Sequence, residues 1–216
     1  MPLKDYIRKH HQKPDIRRLI LAVFSVMVLL WPTTIIPFPV IANQEDEIHY
    51  HFTQTDSGYS FYGSFKLFAD PKCILAICFN PDDLIKLAPD AKEVTLTGQG
   101  SDWNQLRYTY RKYLFFENSS VWNRQLDEDR FRVDFSLVWS ENNLSIMPEI
   151  VSSSGFYQIS LENDLVLVEY YQSCIITEVS LSGFYIDNMK KEAASFLQRF
   201  SEYAGDHCNV SKSMVK

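Results

Sequence analysis

The chain has 216 residues, 46% of them hydrophobic, enough for one domain plus a leader, with 27 acidic against 21 basic side chains. Six of the basic residues and two of the acidic ones lie in residues 1–42, so the remainder carries 15 against 25, a net charge of −10. Such a surface repels phosphate backbones and anionic headgroups, which argues against nucleic acid as a partner and against adsorption to an anionic membrane.

Residues 1–18 hold Lys4, Arg8, Lys9, Lys13, Arg17 and Arg18, and residues 19–31 are an uncharged apolar run that Pro32 ends. A basic flank, an apolar core and a small-residue exit are the parts of a secretory leader. Residues 1–42 therefore read as a signal peptide cleaved after Ala42, or as a retained membrane anchor in which 19–42 span the inner membrane. Either fate keeps the basic flank in the cytoplasm and exports the rest, to a periplasmic, secreted or membrane-anchored location. Residues 43–57 are polar and read as a linker.

The folded part is expected at 58–205, followed by a polar tail, 206–216. Residues 59–69 alternate aromatic and polar side chains and read as a strand. Asp70-Pro71 and Asn80-Pro81 each place a capping residue before a proline at the first helical position. They predict two short helices, about 71–79 and 81–88, with Pro89 ending the second. Six strands follow, at 92–99, 104–117, 120–126, 130–140, 148–161 and 164–179. Their short polar turns imply an antiparallel meander. The chain closes on a helix over 185–204. Asp187 is expected to cap it and Gly205 to stop it, and Met189, Ala193, Phe196, Leu197, Phe200 and Ala204 form its apolar stripe. The fold class is α+β: a seven-stranded curved antiparallel sheet gripping a long C-terminal helix, with two short helices after the first strand.

The four cysteines are Cys73, Cys78, Cys174 and Cys208. Five residues of helix rise about 7.5 Å, and a disulfide needs Cα atoms within about 7 Å. Cys73 and Cys78 therefore cannot close on each other. They read as buried thiols, or as one partner of a bridge to Cys174, and Cys208 in its polar surroundings reads as the free thiol. The five histidines all fall outside 59–204, so no histidine triad, metal cluster or proton shuttle is expected there, and His49-x-His51 reads as incidental. With neither a glycine-rich phosphate loop nor a nucleophile elbow, no cofactor and no metal are expected.

This element order, together with "FKLFADPKCILAICFNPDDLIKLAPDAKEV", resembles the START-like or SRPBCC superfamily. That is the helix-grip fold of polyketide cyclase-like and coenzyme Q-binding-like proteins. The resemblance covers about 59–204. Asp70-Pro71 takes the usual Ala-Pro place, Asn80 the usual Asp, and Ile74-Leu75 stand where an aromatic is common. It implies a cavity between sheet and helix, and a binding or carrier protein for a hydrophobic small molecule such as a lipid, quinone, sterol or polycyclic compound. The alternatives are a cavity enzyme of the cyclase or dehydratase kind, or a structural envelope protein with a vestigial cavity.

The expected cavity-lining residues are Tyr108, Tyr110, Phe131, Phe135, Trp139 and Phe156 from the sheet. Met189, Phe196, Leu197 and Phe200 join them from the helix. Glu169 is the carboxylate candidate, sharing its face with Leu165, Leu167 and Tyr171; the competing reading is an exposed strand charge. Arg107, Arg111 and Lys112 complete the polar candidates.

Overall fold

The computed structural model describes residues 48–88, 90–110 and 118–209. The leader, the first part of the expected linker and the end of the polar tail lie outside them, as does the stretch carrying Arg111 and Lys112. Eight strands form one antiparallel sheet, open at both edges, in the order β1-β2-β8-β7-β6-β5-β4-β3. The strands are β1 (His49–Thr55), β2 (Gly58–Leu67), β3 (Ala91–Gln99), β4 (Trp103–Tyr110), β5 (Asn118–Asp127), β6 (Arg132–Asn142), β7 (Ile150–Glu162) and β8 (Leu165–Ile176). Helices α1 (Pro71–Phe79) and α2 (Pro81–Leu87) follow β2, and α3 (Ser182–Cys208) ends the domain.

The eighth strand is the correction. Half of the expected linker is β1, paired in register with β2 from His49↔Ser64 to Thr55↔Gly58. Its polar side chains mask the pattern because six of its seven residues are exposed at the sheet edge. Phe52 alone is drawn inward, stacked on Tyr59 at 5.1 Å.

The two proline-marked helices form where expected. Asp70 Oδ1 accepts from Lys72 N at 2.9 Å and Asn80 Oδ1 from Asp82 N at 3.0 Å, so each caps its helix. Helix α3 starts earlier and ends later than expected. It begins at Ser182 after Leu181, with no side-chain cap, and passes both Asp187 and Gly205. The strength of the apolar stripe, which continues through Ile186 at one end and Cys208 at the other, outweighs local capping and stopping signals.

Four register shifts bend the sheet. Two lie in β3, near Lys92 and Thr97; one in β6 at Val138; one in β7 at Val151. Each extra residue raises the local twist, and the sheet curls round α3. Asn163 and Asp164 both have positive φ, 50° and 69°, which makes the tight β7–β8 hairpin. Helix and sheet pack closely at Gly63. A Cβ placed there would stand 2.1 Å from Leu197 Cδ1, so only glycine lets the fully buried Leu197 seat against β2.

The C-terminal end of α3 is bolted to α1. Cys73 and Cys208 form a disulfide with Cα atoms 5.6 Å apart, and Asp70 N donates to Cys208 O at 3.0 Å. Cys208 is therefore not the free thiol, and neither Cys73 nor Cys78 pairs with Cys174; Cys78 and Cys174 are the free, buried ones. The helical extension past Gly205 carries Cys208 back to the first turn of α1, a juxtaposition that sequence spacing does not encode. Tyr203 adds a second tie, donating to Asp83 Oδ1 of α2 at 2.7 Å.

Among the described residues no helix is long and apolar enough to cross a membrane.

Candidate functional site

The face of the sheet toward α3 is an aromatic floor. Tyr157 lies 5.0 Å from Tyr170, and Tyr170 lies 4.9 Å from Phe196 of α3. Phe200 meets Phe65 edge-on at 5.2 Å and Tyr157 at 5.8 Å. Phe135 stacks on Tyr170 at 5.8 Å. The interior between sheet and helix is thus occupied ring against ring.

Among the described residues, one charge sits within it. Arg124 of β5 is 4% exposed. Its guanidinium lies over the Tyr157 and Phe135 rings, at 5.3 and 5.7 Å from their centres. Its Nη2 donates to Cys78 O, at the C-terminal end of α1. Asn104, directly opposite on β4, donates from Nδ2 to the next carbonyl, Phe79 O, at 2.9 Å. Together they hold the orphaned carbonyls of α1, and the cation meets the negative end of the helix dipole.

That role leaves two buried atoms without partners: Arg124 Nε, a donor, and Asn104 Oδ1, an acceptor. Buried polar atoms are normally paired, and an unpaired one costs about 1–3 kcal/mol. The arrangement therefore presents one donor and one acceptor, on opposed residues, inside an apolar shell. A hydroxyl, carboxyl or carbonyl-bearing head group of a ligand, or a buried water, complements it.

The surrounding groups are held neutral. Burial pushes the hydroxyls of Tyr157, Tyr170 and Tyr108 above their ordinary range, with Arg124 acting against it. Burial likewise pushes the Cys78 thiol well up, so it is a packing group and not a nucleophile. Tyr110 is pushed up to about 12, chiefly by burial. The sign for stability follows. A tyrosine whose folded pKa exceeds its unfolded value near 10 contributes stability below pH 10 and loses it as pH rises through the folded value. An alkaline titration is therefore expected to show the interior tyrosines ionising only with cooperative unfolding, so that the rise at 295 nm coincides with loss of far-UV circular dichroism.

Seven of the sequence-predicted lining residues belong to this interior. Tyr108, Phe135, Leu197 and Phe200 are in its buried cluster, and Tyr110, Phe131 and Phe196 pack against it. Met189 faces inward but joins a separate small cluster with Tyr59, Cys174, Ile176 and Ile186. Three expectations fail. Trp139 is on the outer face, 37% exposed, with Arg107 over its ring at 5.4 Å. The bulge at Val138 shifts the alternation by one residue, so Trp139 no longer shares a face with Phe135. Phe156 is also outside, under the Arg132 guanidinium at 3.9 Å. It alternates with the buried Tyr157, the true inward residue. Glu169 points outward and accepts from Tyr62 Oη at 2.7 Å, so it is the strand charge and not an interior carboxylate.

Arg124, Asn104, Tyr157 and Tyr170 were not singled out from sequence. A signal existed for Arg124: in Trp122-Asn-Arg124-Gln-Leu126 it occupies the apolar phase of the alternation.

Comparison with solved structures identifies the architecture. The STAR-related lipid transfer protein from Xanthomonas axonopodis superposes with a TM-score of 0.57 at 12% identity, over 75% of this chain and 96% of that one. The chain has the START-like helix-grip fold. A START superfamily protein from Mycobacterium smegmatis matches at a TM-score of 0.51 and 12% identity, over 69% of this chain and 97% of that one. The di-domain ARO/CYC StfQ from the steffimycin biosynthetic pathway matches at 0.54 and 6% identity, over 68% of this chain and 50% of that one. No protein-family model matches the chain, and no curated protein matches it in sequence.

Proposed function

We propose that this START-like domain holds a hydrophobic small molecule between its sheet and α3, with a polar head group seated on Arg124 and Asn104. The observation that carries the reading is the unpaired donor and acceptor, Arg124 Nε and Asn104 Oδ1, buried beneath an aromatic shell. The fold shared with a lipid transfer protein and with an ARO/CYC protein supports it. Ligand entry requires the Phe196 and Phe200 rings to move from Tyr157 and Tyr170, because those rings fill the space otherwise. The protein acts in an exported compartment, free or anchored through residues 19–42. The Cys73–Cys208 bond supports that placement, since such bonds persist under oxidising conditions.

The ring-filled interior favours a second reading, a structural envelope protein whose cavity has closed. The cyclase or dehydratase alternative draws less support, because no carboxylate is among the buried polar residues described.

A thermal-shift titration separates the two. Long-chain carboxylic acids and alcohols are expected to raise Tm, with the matching methyl esters and methyl ethers, which lack the donor hydrogen, raising it less. No shift with any amphiphile supports the closed structural domain.

A further inference from the structure

The outer face of the sheet, away from α3, carries a trough of about 780 Å³. Its floor is one register row across four adjacent strands, Gln105, Asn123, Ser136 and Ser154, which Ser173 of β8 continues beyond it. Among the described residues, the Ser136, Ser154 and Ser173 hydroxyls donate to no protein group. Gln105 Nε2 donates to Asn123 Oδ1 at 2.9 Å, which orients both amides. The adjacent row runs Trp103, Gln125, Asp134, Phe156 and Tyr171. It places the exposed Trp103 at one end and Phe156, 5.6 Å from Tyr171, at the other. Of the three charged residues that border the trough, Arg124 is turned to the interior rings, and the other two cancel. Arg132 grips Asp134 through both Nη2, at 2.7 Å, and Nε, at 3.0 Å, while lying flat on Phe156.

We propose that this trough binds an uncharged, extended oligosaccharide lying across β4 to β8, at right angles to the strands. Three features select that chemistry. The amide of Asn123 and the serine hydroxyls offer both donors and acceptors, as a polyol requires. The exposed Trp103 ring beside them suits the apolar face of a pyranose ring. The paired Arg132–Asp134 leaves no charge to hold an anion or a cation, and the net −10 of residues 43–216 disfavours polyanions. The spacing agrees as well. Neighbouring strands stand about 4.8 Å apart, comparable to the advance of one unit in an extended β-1,4-linked glycan, so each sugar meets one strand's polar side chain. This site uses the face of the sheet opposite the interior one, although Arg124 and Phe135 border both.

The test titrates cellohexaose and chitohexaose into the exported domain by calorimetry, with the helical maltohexaose as comparison, and maps amide shifts by NMR. Binding of at least one β-1,4 hexaose is expected, tighter than maltohexaose, with shifts confined to the outer-face rows. Asn123→Ala with Trp103→Ala should weaken it at least tenfold. Ser136→Arg, which places a bulky cation on the floor, should abolish it; circular dichroism checks the fold of each variant. Absence of binding by both β-1,4 hexaoses, shifts confined to the α3-facing residues, or unchanged affinity in both variants overturns the proposal.

Discussion

Arg124→Met is expected to lower stability by only about 1–3 kcal/mol while removing the stabilisation conferred by head-group-bearing ligands. The two effects have different origins. Methionine keeps an unbranched stem against Phe135 and Tyr157 and relieves the desolvation of a buried charge. It loses the donor to Cys78 O, and that carbonyl, at the end of α1, becomes unsatisfied. Arg124→Ala adds a void beneath two aromatic rings and should cost about 3–5 kcal/mol, the range for large-to-small changes in a core. Urea unfolding of the three proteins measures the ladder. If the head group of a ligand sits on Arg124, the methionine variant should bind at least tenfold more weakly, which corresponds to about 1.4 kcal/mol. A methionine variant that binds as tightly as the parent assigns Arg124 to the α1 carbonyls alone.

Cys208→Ser is expected to lower stability by about 2–5 kcal/mol, since the bond closes a long loop; the sequence separation is 135 residues. For a domain of this size the corresponding fall in Tm is about 5–15 °C. Reduction of the parent protein should reproduce the change, and reduction of the variant should add nothing. The thiol count distinguishes this pairing from any other. Native protein should expose no reactive thiol, because Cys78 and Cys174 are buried with thiols pushed up by burial. Unfolded, unreduced protein should expose two. Four thiols on unfolding without reductant would mean that the bond is not made.

Most of the architecture was legible because its signals are local. Asp70-Pro71 and Asn80-Pro81 name their own helix starts, and the spacing of Ala193, Phe196, Leu197 and Phe200 names the buried face of α3. What escaped is non-local. β1 pairs through its backbone at an exposed edge, so its side chains need no pattern. The Cys73–Cys208 bond depends on where α3 ends in space. Trp139 was misplaced because a single extra residue, Val138, inverts a face, and nothing in Leu137-Val138-Trp139 marks which residue is surplus. Arg124 is the reverse case. Its phase in the alternation points inward, but a charge in an apolar phase reads as an error until α1 is seen to end above it.

Native mass spectrometry of the protein, purified without detergent from cells that make it, tests the central claim most directly. The account expects a fraction of the protein to carry one discrete apolar molecule of defined mass, released on unfolding and absent from Arg124→Met. Protein at its bare mass throughout, with no complex formed on adding any amphiphile that bears a hydroxyl or carboxyl head, would contradict it.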